Sequence, residues 1–194
     1  MIPVEYGCIP VEDIKINAYE LKKRLNVEGD ADLSEFEKVA SKVKSEVTCK
    51  YVAVCTDVVY GEDDSLDIGY GVFKSRQLCK NLKGADRVVV FAVTLGSGVD
   101  RLLMRLSTVS AAEYFVADAV ASAIVEGAMD RAEDIVKKDM KTRPRFSAGF
   151  GDFYIENQKG ILKLLNAEKL LGITIGDSCL MSPMKSVTGV MGVE

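Results

Sequence analysis

The chain contains no histidine, and that absence removes more chemistry than any motif adds. Imidazole is excluded as a general base, as a zinc ligand and as an axial ligand to a haem or corrinoid. No basic block is present either. Lys and Arg are scattered through a chain of net charge −4 and pI near 5.1, which gives no footprint for a nucleic-acid backbone. The five cysteines, at positions 8, 49, 55, 79 and 179, contain no C-x-x-C pair, and nothing at the N-terminus resembles a signal peptide. Free, mostly buried thiols in a reducing cytoplasm are the expectation. Long uncharged apolar runs are also missing. The best segment, 111 to 129, carries Glu113, Asp118 and Glu126, so it is expected to be a buried helix of a soluble protein and not a membrane span. Finally, Gly96-Ser97-Gly98 lacks the third glycine of a dinucleotide fingerprint, Arg101 standing in its place, and no Walker-type Gly-Lys-Ser follows.

What is present suits a folded globular chain. With 194 residues, 48% hydrophobic and 28% charged, there is material for one substantial core. A single domain over 1–194 is expected, with an N-terminal arm and helices over 1–48 and the core over 49–194.

The Ile-Pro-Val-Glu start, repeated at 9–12, reads as an extended arm or edge strands. Asn17 caps a helix through Leu25 with a stop at Gly29, and a second amphipathic helix opens at Leu33-Ser34-Glu35 and runs to Val47. Tyr51–Tyr60 reads as one strand and Ile68–Phe73 as a shorter one. A short helix capped by Ser75 follows, and Arg87–Thr94 is the most buried strand by pattern. A glycine turn leads into a helix to about Leu106. From Ser110 to about Asp139 runs the longest helix, small-sided enough for another backbone to approach closely. Helical segments at 156–165 and 167–171 precede a C-terminal region read as strands joining the sheet. Short strands and long helices in irregular order fit an α+β fold.

The candidate site is Arg145-Phe146-Ser147-Ala148-Gly149-Phe150-Gly151-Asp152. Arg145 offers a planar fork for a carboxylate. Gly149 and Gly151 let main chain approach a flat heterocycle, and Phe146, Phe150 and Phe153 offer apolar walls. On residue pattern alone, an ordinary glycine loop with Arg145 paired to Asp152 competes with this reading. Asp118, Ser122 and Glu126 form one stripe of the long helix. Acids there require a partner, either a buried arginine or a cationic ligand such as an ammonium group.

Three ordered blocks carry a family resemblance: Arg145-x-x-x-Gly149-Phe150-Gly151-Asp152, then Leu164 to Ile173, then Asp177 to Gly189. With Thr94 to Arg101 before them, they resemble the activation (reactivation) domain of cobalamin-dependent methionine synthase, in its free-standing small form. The resemblance implies a single domain with a twisted, mainly antiparallel sheet and long helices packed around it. It implies S-adenosylmethionine in a shallow groove, and help in remethylating cob(II)alamin held in trans by a separate corrinoid-bearing methionine synthase. It also implies an electron from a flavodoxin-type donor. By the same resemblance Arg145 would hold the methionyl carboxylate, and Ser147, Ala148 and Gly149 would line the adenosyl moiety. The family tyrosine is Phe150 here, which keeps the ring and drops a hydroxyl. The family's helix glutamate falls nearest Ser122, with Glu126 one turn along. Two other readings remain: a non-catalytic docking or capping module with a degenerate cofactor groove, and an unrelated S-adenosylmethionine-dependent methyltransferase resting on Gly96-x-Gly98.

Overall fold

A computed structural model describes residues 5–27, 36–138 and 140–194. The predicted stop at Gly29 and the second helix's start at Leu33–Glu35 lie outside the described residues.

The elements run β1 (Glu5–Cys8), α1 (Ala18–Arg24), α2 (Glu37–Glu46), β2 (Lys50–Asp57), β3 (Val59–Tyr60), β4 (Ser65–Asp67), β5 (Val72–Lys74), α3 (Arg76–Leu82) and β6 (Arg87–Thr94). Then come α4 (Ser97–Val109), α5 (Ala111–Lys137), α6 (Asn157–Leu164), α7 (Ala167–Leu171), β7 (Thr174–Ile175), β8 (Met181–Ser182) and β9 (Ser186–Val193). The architecture is α+β around an antiparallel sheet of order β1-β2-β6-β9.

β6 explains why one strand reads as an unbroken apolar run. Val89, Phe91 and Val93 point into a cluster shared with α2, α4 and α5, while Val88, Val90 and Ala92 point into a second cluster with α3, α6 and α7. Both faces of the sheet are therefore covered, and alternation between apolar and polar has no reason to appear. Each of these side chains is at most 2% exposed. Burying one Val or Phe stabilises by about 1.5–3 kcal/mol, so β6 alone anchors both layers.

The long helix behaves as its small side chains foretold. Ala117, Ala121, Ala128 and Ala132 are fully buried, and a Cβ on Gly127 would sit 2.2 Å from the Lys15 carbonyl oxygen, so the segment before α1 crosses directly over α5. Side-chain caps hold the helix starts: Asn17 Oδ1 accepts from the Tyr19 and Glu20 amides, Ser75 Oγ from Leu78, and Ser110 Oγ from Glu113. Among the described residues no helix is long and apolar enough to cross a membrane.

Three expected strands are corrected. The stretch 51–60 is not one strand. It leaves the main sheet after Asp57, where the Val58 amide donates to the Asp86 carbonyl, and Val59–Tyr60 starts a separate sheet with β4 and β5. Of 68–73 only Val72 and Phe73 belong to a strand, β5: Asp67 Oδ1 accepts from the Gly69 and Gly71 amides and folds 68–71 into a turn between β4 and β5. At the C-terminal end only β9 joins the main sheet, since β7 and β8 pair with each other as a small hairpin.

Candidate functional site

The Arg145–Asp152 loop is pinned at both ends. At its start Phe146 exchanges both main-chain hydrogen bonds with Val190 of β9, 2.9 and 2.8 Å. At its end the Asp152 carboxylate accepts from Ser75 Oγ at 2.7 Å and from the Arg76 and Gln77 amides at 2.9 and 3.1 Å, thereby closing the N-terminus of α3. The Ser75 hydroxyl first, then the Gln77 and Arg76 amides, hold the Asp152 carboxyl below its ordinary pKa. Between the pins, Gly149 N–H donates to the Phe153 carbonyl at 2.7 Å and tightens the turn.

A groove of about 370 Å³ opens beside this loop. Ser147, Ala148 and Phe150 form one wall, Glu126 and Met129 of α5 another, and Ser186, Val187 and Thr188 of β9 run between them and Gln158 of α6. Phe150 is 66% exposed and stands at the rim. Phe146 faces the groove as well, but Phe153 does not. It is fully buried, stacked with Phe73 and against Phe146, and so serves the core and not the groove wall.

Arg145 does not pair with Asp152. Its guanidinium reaches back to α5, donating to Asp130 at 3.0 Å and Glu133 at 2.8 Å, with Glu126 at 3.9 Å. Asp152 is committed to α3, while Glu126, Asp130 and Glu133 recur at four and three residues and share one helix face. That spacing was the available signal for the true partners. Glu133 also accepts from Lys137, so Arg145 and Lys137 stand among three carboxylates. The Asp118–Ser122–Glu126 stripe is met by two cations: Arg145 stands 3.9 Å from Glu126, and the Lys185 ammonium donates to Asp118 at 2.8 Å and to Ser122 at 2.9 Å.

Of the seven residues picked out from sequence, Arg145, Ser147, Ala148, Phe150 and Glu126 line one groove. Gly149 shapes the turn behind it, and Ser122 is held by Lys185 outside the lining. Met129, Gln158, Met181 and Thr188 were not picked out as site residues: Met181 and Thr188 fall within the Asp177–Gly189 block of the resemblance, but only the packing of α5, α6, β8 and β9 brings the four together. Among the described residues no cluster of acidic or thiol groups is arranged to hold a metal ion.

No family model matches the chain, and no curated protein matches it. Among solved structures it is similar to the crystal structure of the MetH reactivation domain bound to AdoHcy, with a TM-score of 0.76 over 98% of this chain and 78% of that chain, at 16% sequence identity. The chain has the fold of that domain.

Proposed function

We propose that this chain is an S-adenosylmethionine-binding reactivation component that supports reductive remethylation of cob(II)alamin on a separate cobalamin-dependent methionine synthase. The observation that carries the reading is the groove built on the Arg145–Phe150 loop, in a fold whose solved counterpart was crystallised with AdoHcy. The residues suit such a ligand. Phe150, Phe146 and Met129 offer apolar surface to a flat ring, and the carboxylates around Arg145 suit a sulfonium and an ammonium. Bound S-adenosylmethionine supplies an activated methyl group. The chain's own task is to hold it with the sulfonium accessible to the partner, for which a shallow, open groove is appropriate. The corrinoid and the electron donor, of flavodoxin type, belong to other molecules, in keeping with a chain that has no imidazole to offer the cobalt.

Isothermal titration with S-adenosylmethionine tests this directly. Binding is expected, and Arg145→Ala should weaken it about tenfold or more, the loss of one charge-assisted contact. No heat and no thermal shift at saturating ligand would refute it.

A second reading has its own observation. Arg145 is already bonded to Asp130 and Glu133, and Lys185 occupies the stripe at Asp118 and Ser122. Both cationic side chains are thus satisfied without a ligand, as in a docking or capping module for a corrinoid protein with a degenerate groove. Co-purification with a corrinoid protein, coupled with silent titrations, selects this reading.

A further inference from the structure

The outer edge of β9 is covered along only part of its length. Val190 gives its N–H and carbonyl to Phe146, the Gly192 carbonyl accepts from Arg143, and the Glu194 amide donates to the Lys141 carbonyl. The segment 141–146 therefore closes the edge from Val190 onward. Main-chain groups alternate sides with a period of two along a strand, so Thr188 turns its own N–H and C=O to this same outer side, away from β6. No hydrogen bond closes on them among the described residues. This open rung lies where β9 borders the groove.

Among the described residues, two side chains beside the rung are free of side-chain hydrogen bonds, and the polar atom of one of them is buried. Thr188 is 2% exposed, and its Oγ1 is buried without a hydrogen-bond partner. Gln158, facing the groove from α6, is 8% exposed, and its amide makes no side-chain hydrogen bond among the described residues. A buried polar group left unsatisfied costs free energy comparable to a lost hydrogen bond, so the Thr188 hydroxyl is unfavourable as it stands unless something binds there, and the Gln158 amide is free to join in. Ser186 behaves differently: its hydroxyl is spent on Thr94 and on the Pro183 carbonyl.

We propose that the open rung at Thr188, with the Thr188 hydroxyl and the Gln158 amide, recognises the donor–acceptor edge of a purine-type heterocycle. This deepens the S-adenosylmethionine reading and rests on it. The groove then has two ends: a neutral, hydrogen-bonding end at Gln158 and Thr188 for the base, and an ionic end at Glu126 and Arg145 for the amino-acid portion. An added peptide strand is the poorer occupant, because strand addition needs a row of free rungs and the segment 141–146 leaves this edge too short. The order of the groups makes the recognition selective. The hydroxyl can rotate and the Gln158 amide can turn over, but a main-chain N–H only donates and a carbonyl only accepts. A 6-aminopurine edge, acceptor beside donor, complements them in one register, and deamination to the 6-oxo form reverses both groups.

The test is calorimetric titration of the wild-type chain with S-adenosylhomocysteine and with its deaminated inosyl counterpart, followed by Thr188→Val and Gln158→Leu. The adenosyl ligand should bind the wild type about tenfold or more tightly than the inosyl one, the loss of a hydrogen bond at a desolvated edge. Thr188→Val keeps side-chain shape, and because its hydroxyl has no partner the variant should melt no lower than wild type while binding the adenosyl ligand several-fold more weakly, by about the same class of loss. Equal affinity of the wild type for the two ligands, or wild-type affinity in both variants, overturns the recognition proposal and leaves the S-adenosylmethionine reading standing. Failure of the wild type to bind either ligand overturns both.

Discussion

Two glycine turns flank the central architecture, and Gly98 in one and Gly149 in the other serve opposite purposes. At Leu95–Arg101 the residue yields to other backbone: a Cβ on Gly98 would lie 2.5 Å from the Glu46 carbonyl oxygen, where the end of α2 meets the start of α4. At Arg145–Asp152 the glycine that matters has room. A Cβ on Gly149 would meet nothing nearer than 3.9 Å, but its φ of +95° is one that L side chains rarely adopt. A hollow of about 330 Å³ borders the first turn as well, but the buried unpartnered atom of that turn, Asp100 Oδ1, stands outside its lining, whereas Thr188 Oγ1 lines the groove at the second turn. Glycine spacing therefore says little about function. The neighbours of the missing Cβ, and the hydrogen bonds left open nearby, say much more.

Substitutions at the two turns should separate these roles. The largest effect is expected for Gly98→Ala, which must push α4 off a backbone carbonyl. A loss of about 1–3 kcal/mol, the usual cost of overpacking, should appear in chemical denaturation, with groove binding unchanged in the folded fraction. If Gly98→Ala instead weakened ligand binding at full stability, the contrast between the turns would collapse. Gly149→Ala should cost less, about 1–2 kcal/mol for the left-handed backbone, and should fall mainly on affinity, since the wall formed by Ser147 and Ala148 is set by that turn. Titration beside a melting curve distinguishes the two losses.

The smallest effect is expected at Asp152, and it is diagnostic through pH. Its folded-state pKa lies below the ordinary value of 3.8, so the unfolded chain takes up the proton first as pH falls. The stability it contributes is complete above that ordinary value and disappears as pH drops through the lower, folded-state one. Asp152→Asn should therefore melt below wild type at neutral pH, with the gap closing as the solution is acidified below 3.8. A gap independent of pH would mean that the carboxylate's charge is irrelevant to the α3 pin.

Which parts were readable from sequence follows from how local their causes are. β6 was legible to the residue because burial on both faces leaves an uninterrupted apolar signature from Arg87 to Thr94. The caps at Asn17 and Ser75 were legible because their hydrogen bonds close within three residues. The split after Asp57 was not: Val59 and Tyr60 are good strand formers, and only the second sheet they enter distinguishes them from β2. Ile68–Phe73 failed for a related reason, a side-chain turn at Asp67 overruling apolar neighbours. At the groove, the loop was visible, but its partners were not. Arg145 selects carboxylates of α5 that lie 15 and 12 residues back in the chain and are marked only by their helical spacing, and Thr188 and Gln158 acquire meaning only when β9 and α6 are placed side by side.

The pairing of β6 with β9 joins Arg87 to Val193 and Thr94 to Ser186, roughly a hundred residues apart in the chain, and such contacts must be reached against the entropy of closing a long loop. The groove's floor belongs to the later of these two strands. Loop-closure entropy predicts that this pairing forms late, so in a stopped-flow refolding experiment recovery of affinity for the proposed ligand should trail recovery of helicity.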